Sequence, residues 1–376
     1  MYTSQRFVLF MALAVLVSVL VPGTVRAQDN RKVYVDDTGI PKATGSGQCG
    51  RPNYATIQAA VNDLSASRVV VCKGTYVEQV TVERSLTLEG QSGAVIQAPA
   101  GDAIAVVQFR GPQQSRLSGF TITGMGVNVA AGVRANGFVC EDTPCGPTQV
   151  SISRNRISDI YSSGAFGVGG TGIFIYQAKG NVEDNTVERY GAIGIDADGD
   201  DRADTFAQVD GNTIRGQGQG GPNVNQIGIR FDETSMDSED NTISGNYGSG
   251  ADGVGYGIQV VFANGSIRDN TVKDNHTGVH YGPGAGVLRS NTVSNNTGNG
   301  IELFSTVGAT IVENKSSNNG DNGIFIANGA TGNTVRDNKA HGNKGVDLFD
   351  NNGMPLVNTY VGNRCATSNP SGLCKS

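Results

Sequence analysis

GIRFDETSMDSEDNTISGNYGSGADGVGYGIQVVFANGSIRDNTV, residues 228–272, states one pattern twice. A Gly opens an apolar-x-apolar step at Gly228 and again at Gly257, and an Asn opens a second step at Asn241-Thr-Ile and again at Asn270-Thr-Val. Working outward, the Gly marker returns as GIFI at 172, GIDA at 194, GVHY at 278, GIEL at 300, GIFI at 323 and GVDL at 345. The Asn marker returns at Asn155-Arg-Ile, Asn185-Thr-Val, Asn212-Thr-Ile and Asn291-Thr-Val, with weaker copies at Asn314-Lys-Ser, Asn338-Lys-Ala and Asn363-Arg-Cys. The Asn positions step by 30, 27, 29, 29, 21, 23, 24 and 25 residues, a period in the range of stacked repeats.

Strands of a few residues cannot bury a face alone. Winding them into a parallel coil lets each pair with the strands above and below, about 4.8 Å away. The inward side chains then form columns. One would hold Ile173, Ile195, Ile229, Ile258, Val279, Ile301, Ile324 and Val346; the next Ile175, Ala197, Phe231, Val260, Tyr281, Leu303, Ile326 and Leu348. The recurring Asn suits a sharp bend, because it tolerates the left-handed conformation and its amide can bond to the Asn of the next coil.

Composition agrees. Of 376 residues 54 are Gly and 33 are Asn, 25 of those Asn lying after residue 200. Gly and Asn break helices, so a mainly helical protein is excluded. Collagen is excluded by the missing three-residue Gly period. With 38% hydrophobic residues and a net charge of −6 the chain has apolar surface enough for a core rather than the profile of a disordered one. The acidic balance argues against nucleic acid as a partner.

The N-terminus reads as a signal peptide over 1–27: Arg6, an apolar run from Phe7 to Val21, then Val25-Arg26-Ala27 with small residues flanking a cut after Ala27. The run is short for a membrane anchor, which needs about 20 apolar residues. No second apolar segment follows, so the mature chain, 28–376 as one domain, is expected to be exported, soluble, off the membrane and monomeric, in a periplasm or outside the cell. Six Cys suit an oxidising compartment, and sequence proximity favours Cys140–Cys145 and Cys365–Cys374, leaving Cys49 with Cys72. YATIQAAVNDL at 54–64 puts Ile57, Val61 and Leu64 on one face of a short helix. With RVVVC, YVEQVTV and SLTLEG behind it, this helix, within a cap at about 50–65, would cover the open end of coils running from about 66 to 365.

The YATIQAAV helix, the VVVCKGTYVEQVTV segment and the GIxI/xxNxI alternation together resemble the right-handed parallel β-helix proteins of the pectate-lyase-like superfamily, over about residues 50 to 365. The resemblance implies an all-β, single-stranded right-handed solenoid with a short N-terminal capping helix. It also implies a polysaccharide groove on the face made by the GIxI strands.

The residues expected to point outward on that face are chemically unusual for a solenoid. One column holds Phe174, Asp196, Arg230, Gln259, His280, Glu302, Phe325 and Asp347; a second holds Tyr176, Asp198, Asp232, Val261, Gly282, Phe304, Ala327 and Phe349. Asp198 and Asp232 would stand about 5 Å apart in register, and like charges that close raise one pKa, as a general acid requires. Arg230 or a calcium ion could neutralise a uronate, and His280 could take a proton. Asp196, Asp198, Arg230, Asp232 and His280 are therefore the catalytic candidates, and Tyr176, Gln259, Glu302, Phe304 and Asp347 the substrate-binding ones. No metal site is assigned. Calcium is the one candidate ion, for the acidic DADGDD loop continuing to Asp204, although that loop lacks the Gly and Glu of an EF-hand.

Specific subfamilies do not match. The GHG and RIK of polygalacturonases, the WIDH and RxPxxR of pectate lyases and the DPH of alginate epimerases are absent. The expectation is thus an exported β-helix that binds or processes a polysaccharide, as a lyase, epimerase or hydrolase. The alternative is a non-catalytic surface or adhesive protein, or a periplasmic accessory protein resembling the NosD type linked to copper-enzyme maturation. With three His and five Met, direct copper binding is disfavoured.

Overall fold

The computed structural model describes residues 31–38, 47–137, 148–163, 169–199, 205–219, 225–248 and 253–375. The expected signal segment 1–27, Cys140, Cys145 and the acids at 200, 201 and 204 lie outside these residues. Within them the chain is a parallel β-helix. Three sheets of 13, 12 and 12 strands run its length, every neighbour parallel. Such crossovers are right-handed almost without exception.

Each coil visits the sheets in the same order. Thr171–Tyr176 belongs to the sheet of the GIxI strands, here the GI sheet; Lys179–Glu183 to the thirteen-strand sheet, here the long sheet; Thr186–Tyr190 to the sheet of the NT(I/V) strands, here the NT sheet. The inward columns pack against one another. Ile173, Ile195, Ile229, Ile258, Val279, Ile301 and Ile324 are all fully buried on the GI side, with Val182, Val209 and Ile267 from the long sheet and Val187, Ile214 and Ile243 from the NT sheet. At about 1.5–3 kcal/mol per buried aliphatic side chain, these columns are the main stabilising element of the coil.

The Asn ladder sits at the corner between the long and NT sheets. Asn155, Asn185, Asn212, Asn241, Asn270, Asn291, Asn314, Asn338 and Asn363 are at most 2% exposed. From Asn185 on, each Oδ1 accepts from the backbone N–H and the Nδ2 of the Asn one coil earlier, as where Asn185 N and Nδ2 reach Asn212 Oδ1 at 2.9 and 3.0 Å, and Asn155 Oδ1 starts the ladder by accepting from Phe120 N. The left-handed residue at this corner is, however, the one before each Asn: Asp184 (φ 54°), Asp240 (53°), Asp269 (57°), Ser290 (56°), with Gly211 and Gly362 in two coils. The Asn itself is committed to its hydrogen bonds.

Both ends are closed. The helix Ile57–Val61 is capped by Thr56, and Glu78 accepts from the backbone N–H of Ile57 and Gln58. Ile57, Ala60 and Val61 are buried, but the helix stops after Val61 and the turn that follows leaves Leu64 86% exposed, so Leu64 is not part of the packed face. At the other end Leu373 is buried in the core. Disulfides join Cys49 to Cys72 and Cys365 to Cys374.

The last coil departs from the expected register. Leu348, not Val346, continues the column of Ile301 and Ile324, and Asp350 follows Ile326 inward. Phe349 therefore sits over Phe325, where Asp347 was expected.

Candidate functional site

Strand pairing on the GI sheet sets a continuous outward column. Arg134, Phe174, Asp196, Arg230, Gln259, His280, Glu302, Phe325 and Phe349 follow one another coil by coil. Beside it run Asn136, Tyr176, Asp198, Asp232 and Val261. The sequence-derived candidates thus fall on one stripe, with the exception of Asp347.

Its centre is a charge cluster. Arg230 forms a bidentate pair with Asp196, Nε to Oδ1 at 2.7 Å and Nη2 to Oδ2 at 2.9 Å. The same guanidinium reaches Asp198 at 3.5 Å and Asp232 at 3.6 Å. Asp196 points outward but is 0% exposed, because the guanidinium of Arg230 is bound to it. Burial pushes its carboxyl up to about 6, opposed by Arg230 and assisted by Asp198 and Asp232. Burial also raises Asp232, with Arg230 pulling it down and Asp198 adding to the rise. Asp198 and Asp232 occupy paired positions on adjacent strands, so the expected close pair of carboxylates is present, with an arginine between them. Arg230 is consequently not a free cation waiting for a uronate; three carboxylates of the chain already hold it.

One coil past Gln259, the His280 ring lies 4.9 Å from the Tyr256 ring and 6.1 Å from that of Phe304, centroid to centroid. Its Nδ1 stands 3.7 Å from Glu302 Oε2. Burial raises the Glu302 carboxyl, but His280, Asn299 and His276 outweigh it and hold the group below its ordinary value. Phe304 is half exposed, while Tyr281 faces the core as its alternation implies. Further along, Phe325 and Phe349 meet edge to face at 5.5 Å. At the opposite end the Arg134 guanidinium lies 5.4 Å above the Phe174 ring, which touches Tyr176 at 5.6 Å. Burial lowers the Arg134 pKa, with Tyr176 opposing the shift and Arg110 adding to it.

Asp347 belongs elsewhere. A second ladder, Asn246, Asn275, Asn296, Asn319 and Asn343, runs along another corner, and Asp347 Oδ1 accepts from Asn343 Nδ2 at its end. The other oxygen accepts from the backbone N–H of Ala366 and Thr367. A carboxylate ends such a chain because it only accepts. This ladder follows the first by a constant five residues (241 to 246, 270 to 275, 291 to 296), a spacing that would have revealed it. Tyr256 and Arg134 were also missed, since neither lies at the positions that GIxI alternation marks in the coils read from sequence.

Among the described residues no three His, Cys, Asp or Glu side chains converge as metal ligands. In the Asp cluster the guanidinium of Arg230 takes the central position.

The family model described as "Right handed beta helix region" matches residues 194–364. Among solved structures, the A-module of the mannuronan C-5 epimerase AlgE6 of Azotobacter vinelandii is 16% identical with a TM-score of 0.52, over 82% of this chain and 88% of that one. A mutant of the periplasmic alginate epimerase AlgG is 15% identical with a TM-score of 0.56, over 81% and 73%. The Dettilon tailspike protein is 15% identical with a TM-score of 0.60, over 90% and 67%. No curated protein matches the sequence significantly. The chain has the fold of a right-handed parallel β-helix, and at these identities the likeness to solved structures is one of fold.

Proposed function

We propose that this chain is an exported β-helix that holds a polysaccharide along the outward stripe of the GI sheet and processes it with the carboxyls of Asp198 and Asp232. The observation that carries this reading is the register, which stacks Tyr176, Asp198, Asp232, Gln259, His280, Glu302 and Phe304 on successive rungs of one face. Rungs about 4.8 Å apart present side chains at a repeat close to that of an extended sugar chain. Aromatic rings flank both sides of the acids, suited to stacking on sugar faces. Two epimerases named for alginate and mannuronan, and a tailspike protein, share the fold, which favours a glycan ligand. The disulfides favour an oxidising compartment.

Asp232, raised and beside Asp198, is assigned the acid role, and Asp196 the positioning of Arg230 between them. His280, with Glu302 Oε2 3.7 Å from its Nδ1, is the base candidate for abstraction from a sugar carbon. The test is incubation of the purified protein with uronate-rich and neutral glycans, reading unsaturated products in the ultraviolet, reducing ends and C5 inversion. Turnover lost in Asp232→Asn with binding retained supports the reading; silence across the panel sinks the catalytic part. One observation favours the non-catalytic alternative, in which the stripe only binds: Arg230 is neutralised within the cluster, so the centre is a closed charge network rather than an open cationic subsite.

A further inference from the structure

A second surface with the makings of a site lies on the long sheet, away from the GI stripe. The strands Gln113–Ser118, Thr148–Ser153, Lys179–Glu183 and Phe206–Asp210 line a cleft of about 370 Å³. Strand pairing sets its outward side chains in two columns: Gln114, Gln149, Lys179, Phe206 and Arg116, Ser151, Asn181, Gln208. A second cleft of about 500 Å³ shares Thr87 and Gln114 with it and extends toward Lys32 and Arg68. No Asp or Glu lines either cleft, in a chain of net charge −6. The Arg68 guanidinium is neutralised by Glu89, but Arg116 and Lys179 have no ion pair among the described residues. One polar atom is left over as well: Asn181 Oδ1 is buried without a hydrogen-bond partner, although its Nδ2 donates to Glu183 at 2.8 Å. A buried acceptor without a partner is destabilising unless a ligand donor satisfies it.

We infer that this cleft is a binding site for an extended anionic polysaccharide, carboxylated or sulfated, separate from the GI stripe. Arg116 and Lys179 lie two rungs apart, about 10 Å along the axis, so one polyanion can meet both. The amides of Gln114 and Gln149 offer a donor and an acceptor each, which match the paired hydroxyls of a sugar, while Gln208 Nε2 already donates to Asp210 at 2.6 Å. A hydroxyl at Asn181 would answer the orphan acceptor. Phe206, 38% exposed at the edge, gives a ring face for stacking. The cationic strip ends where the next coil brings Asp237 beside Gln208, which bounds the site on that side. A neutral glycan would leave both cations without counterions.

The test is binding of the full exported chain to polygalacturonate, to dextran sulfate and to neutral dextran, measured by affinity electrophoresis at two salt concentrations. The charged arms tell carboxylate from sulfate as the recognised anion. Arg116→Glu with Lys179→Glu is expected to weaken binding to a charged probe about tenfold, the order expected for losing two charge-assisted contacts, and to flatten its salt dependence. Lys315→Glu with Lys339→Glu, a like charge change on the NT sheet, is expected to leave that binding unchanged, and the Arg116 and Lys179 changes are expected to leave glycan turnover on the GI stripe unchanged, so failure of the GI-stripe reading and failure of this one are told apart. Both target side chains point outward; should the reversed pair nevertheless unfold, Arg116→Gln with Lys179→Gln reads the same loss at about threefold. A smaller drop, equal retention by neutral dextran, or absence of binding to both charged probes overturns the inference.

Discussion

At the residue scale, Asp196 shows how a side chain can point outward and still be interior. Strand alternation places it outward, and Arg230, one coil on, shields it completely. Its raised carboxyl has a defined consequence for stability. From the ordinary value of 3.8 up to about 6, the folded state keeps a proton that the unfolded state has released. The Asp196 contribution to stability is therefore present at low pH and is lost as pH rises through that window. Asp196→Asn removes this titration. Relative to the parent, the variant is expected to gain on the order of 3 kcal/mol between about pH 4 and pH 7. Denaturant midpoints of both proteins at the two pH values check it. A difference independent of pH would mean that Asp196 stays ionised throughout. Other carboxyls, such as Asp350 and Glu302, are depressed and push the whole protein the opposite way, so only the difference between variant and parent is diagnostic.

At the element scale, the corner between the long and NT sheets divides its work between two neighbours, one bent and one bonded. Ser290 holds φ 56° while Asn291 carries the ladder. Gly at the equivalent 211 and 362 shows that the bend needs no side chain. Ser290→Gly is expected to keep or slightly raise stability, whereas Ser290→Val should cost about 1–2 kcal/mol, because a β-branched residue resists the left-handed region. Asn291→Ala should cost more, about 2–3 kcal/mol, since it strands the backbone N–H of Asn270 and removes the donor to the Ile267 carbonyl. Thermal or denaturant unfolding of the three variants ranks them; an Ala variant milder than the Val variant would refute the division. The coils were legible in sequence because Gly and Asn mark the same phase in every period. The finer geometry was not. Val346 and Leu348 are both apolar and both fit the inward alternation, so nothing local showed that Leu348 rather than Val346 continues the first column, and an inward Asp350 contradicts the pattern until Asn352, Asn358 and Tyr360 are seen donating to it. The long-sheet cleft was invisible for the converse reason. Its Gln, Ser and Asn side chains are what a plain solvated face also contains, and only the register joins them to two unpaired cations.

At the scale of the whole molecule, strand pairing runs only between adjacent coils, as every strand pairs with those one coil before and after it. Stability in such a stack is a sum of local and nearest-neighbour terms, and its ends open first unless they are fastened. The C-terminal fastening is compact. Leu373 fills the end of the core, Cys374 packs beside it, and the disulfide to Cys365 ties this tail to the last coil. Cys365→Ser with Cys374→Ser releases a tail whose loop spans 9 residues, a loss of about 2–3 kcal/mol in the chain-entropy account. In a one-dimensional stack that loss should stay local. Hydrogen exchange is expected to quicken in the strands Thr334–Arg336, Lys339–His341 and Thr359–Val361, and to stay unchanged in Ile193–Asp198 and Ile227–Asp232, which carry the acid cluster. Glycan binding on either face should then survive the lost disulfide. Faster exchange spread evenly over all coils would show instead that the solenoid unfolds as one cooperative unit, and would make both binding surfaces depend on the C-terminal tail.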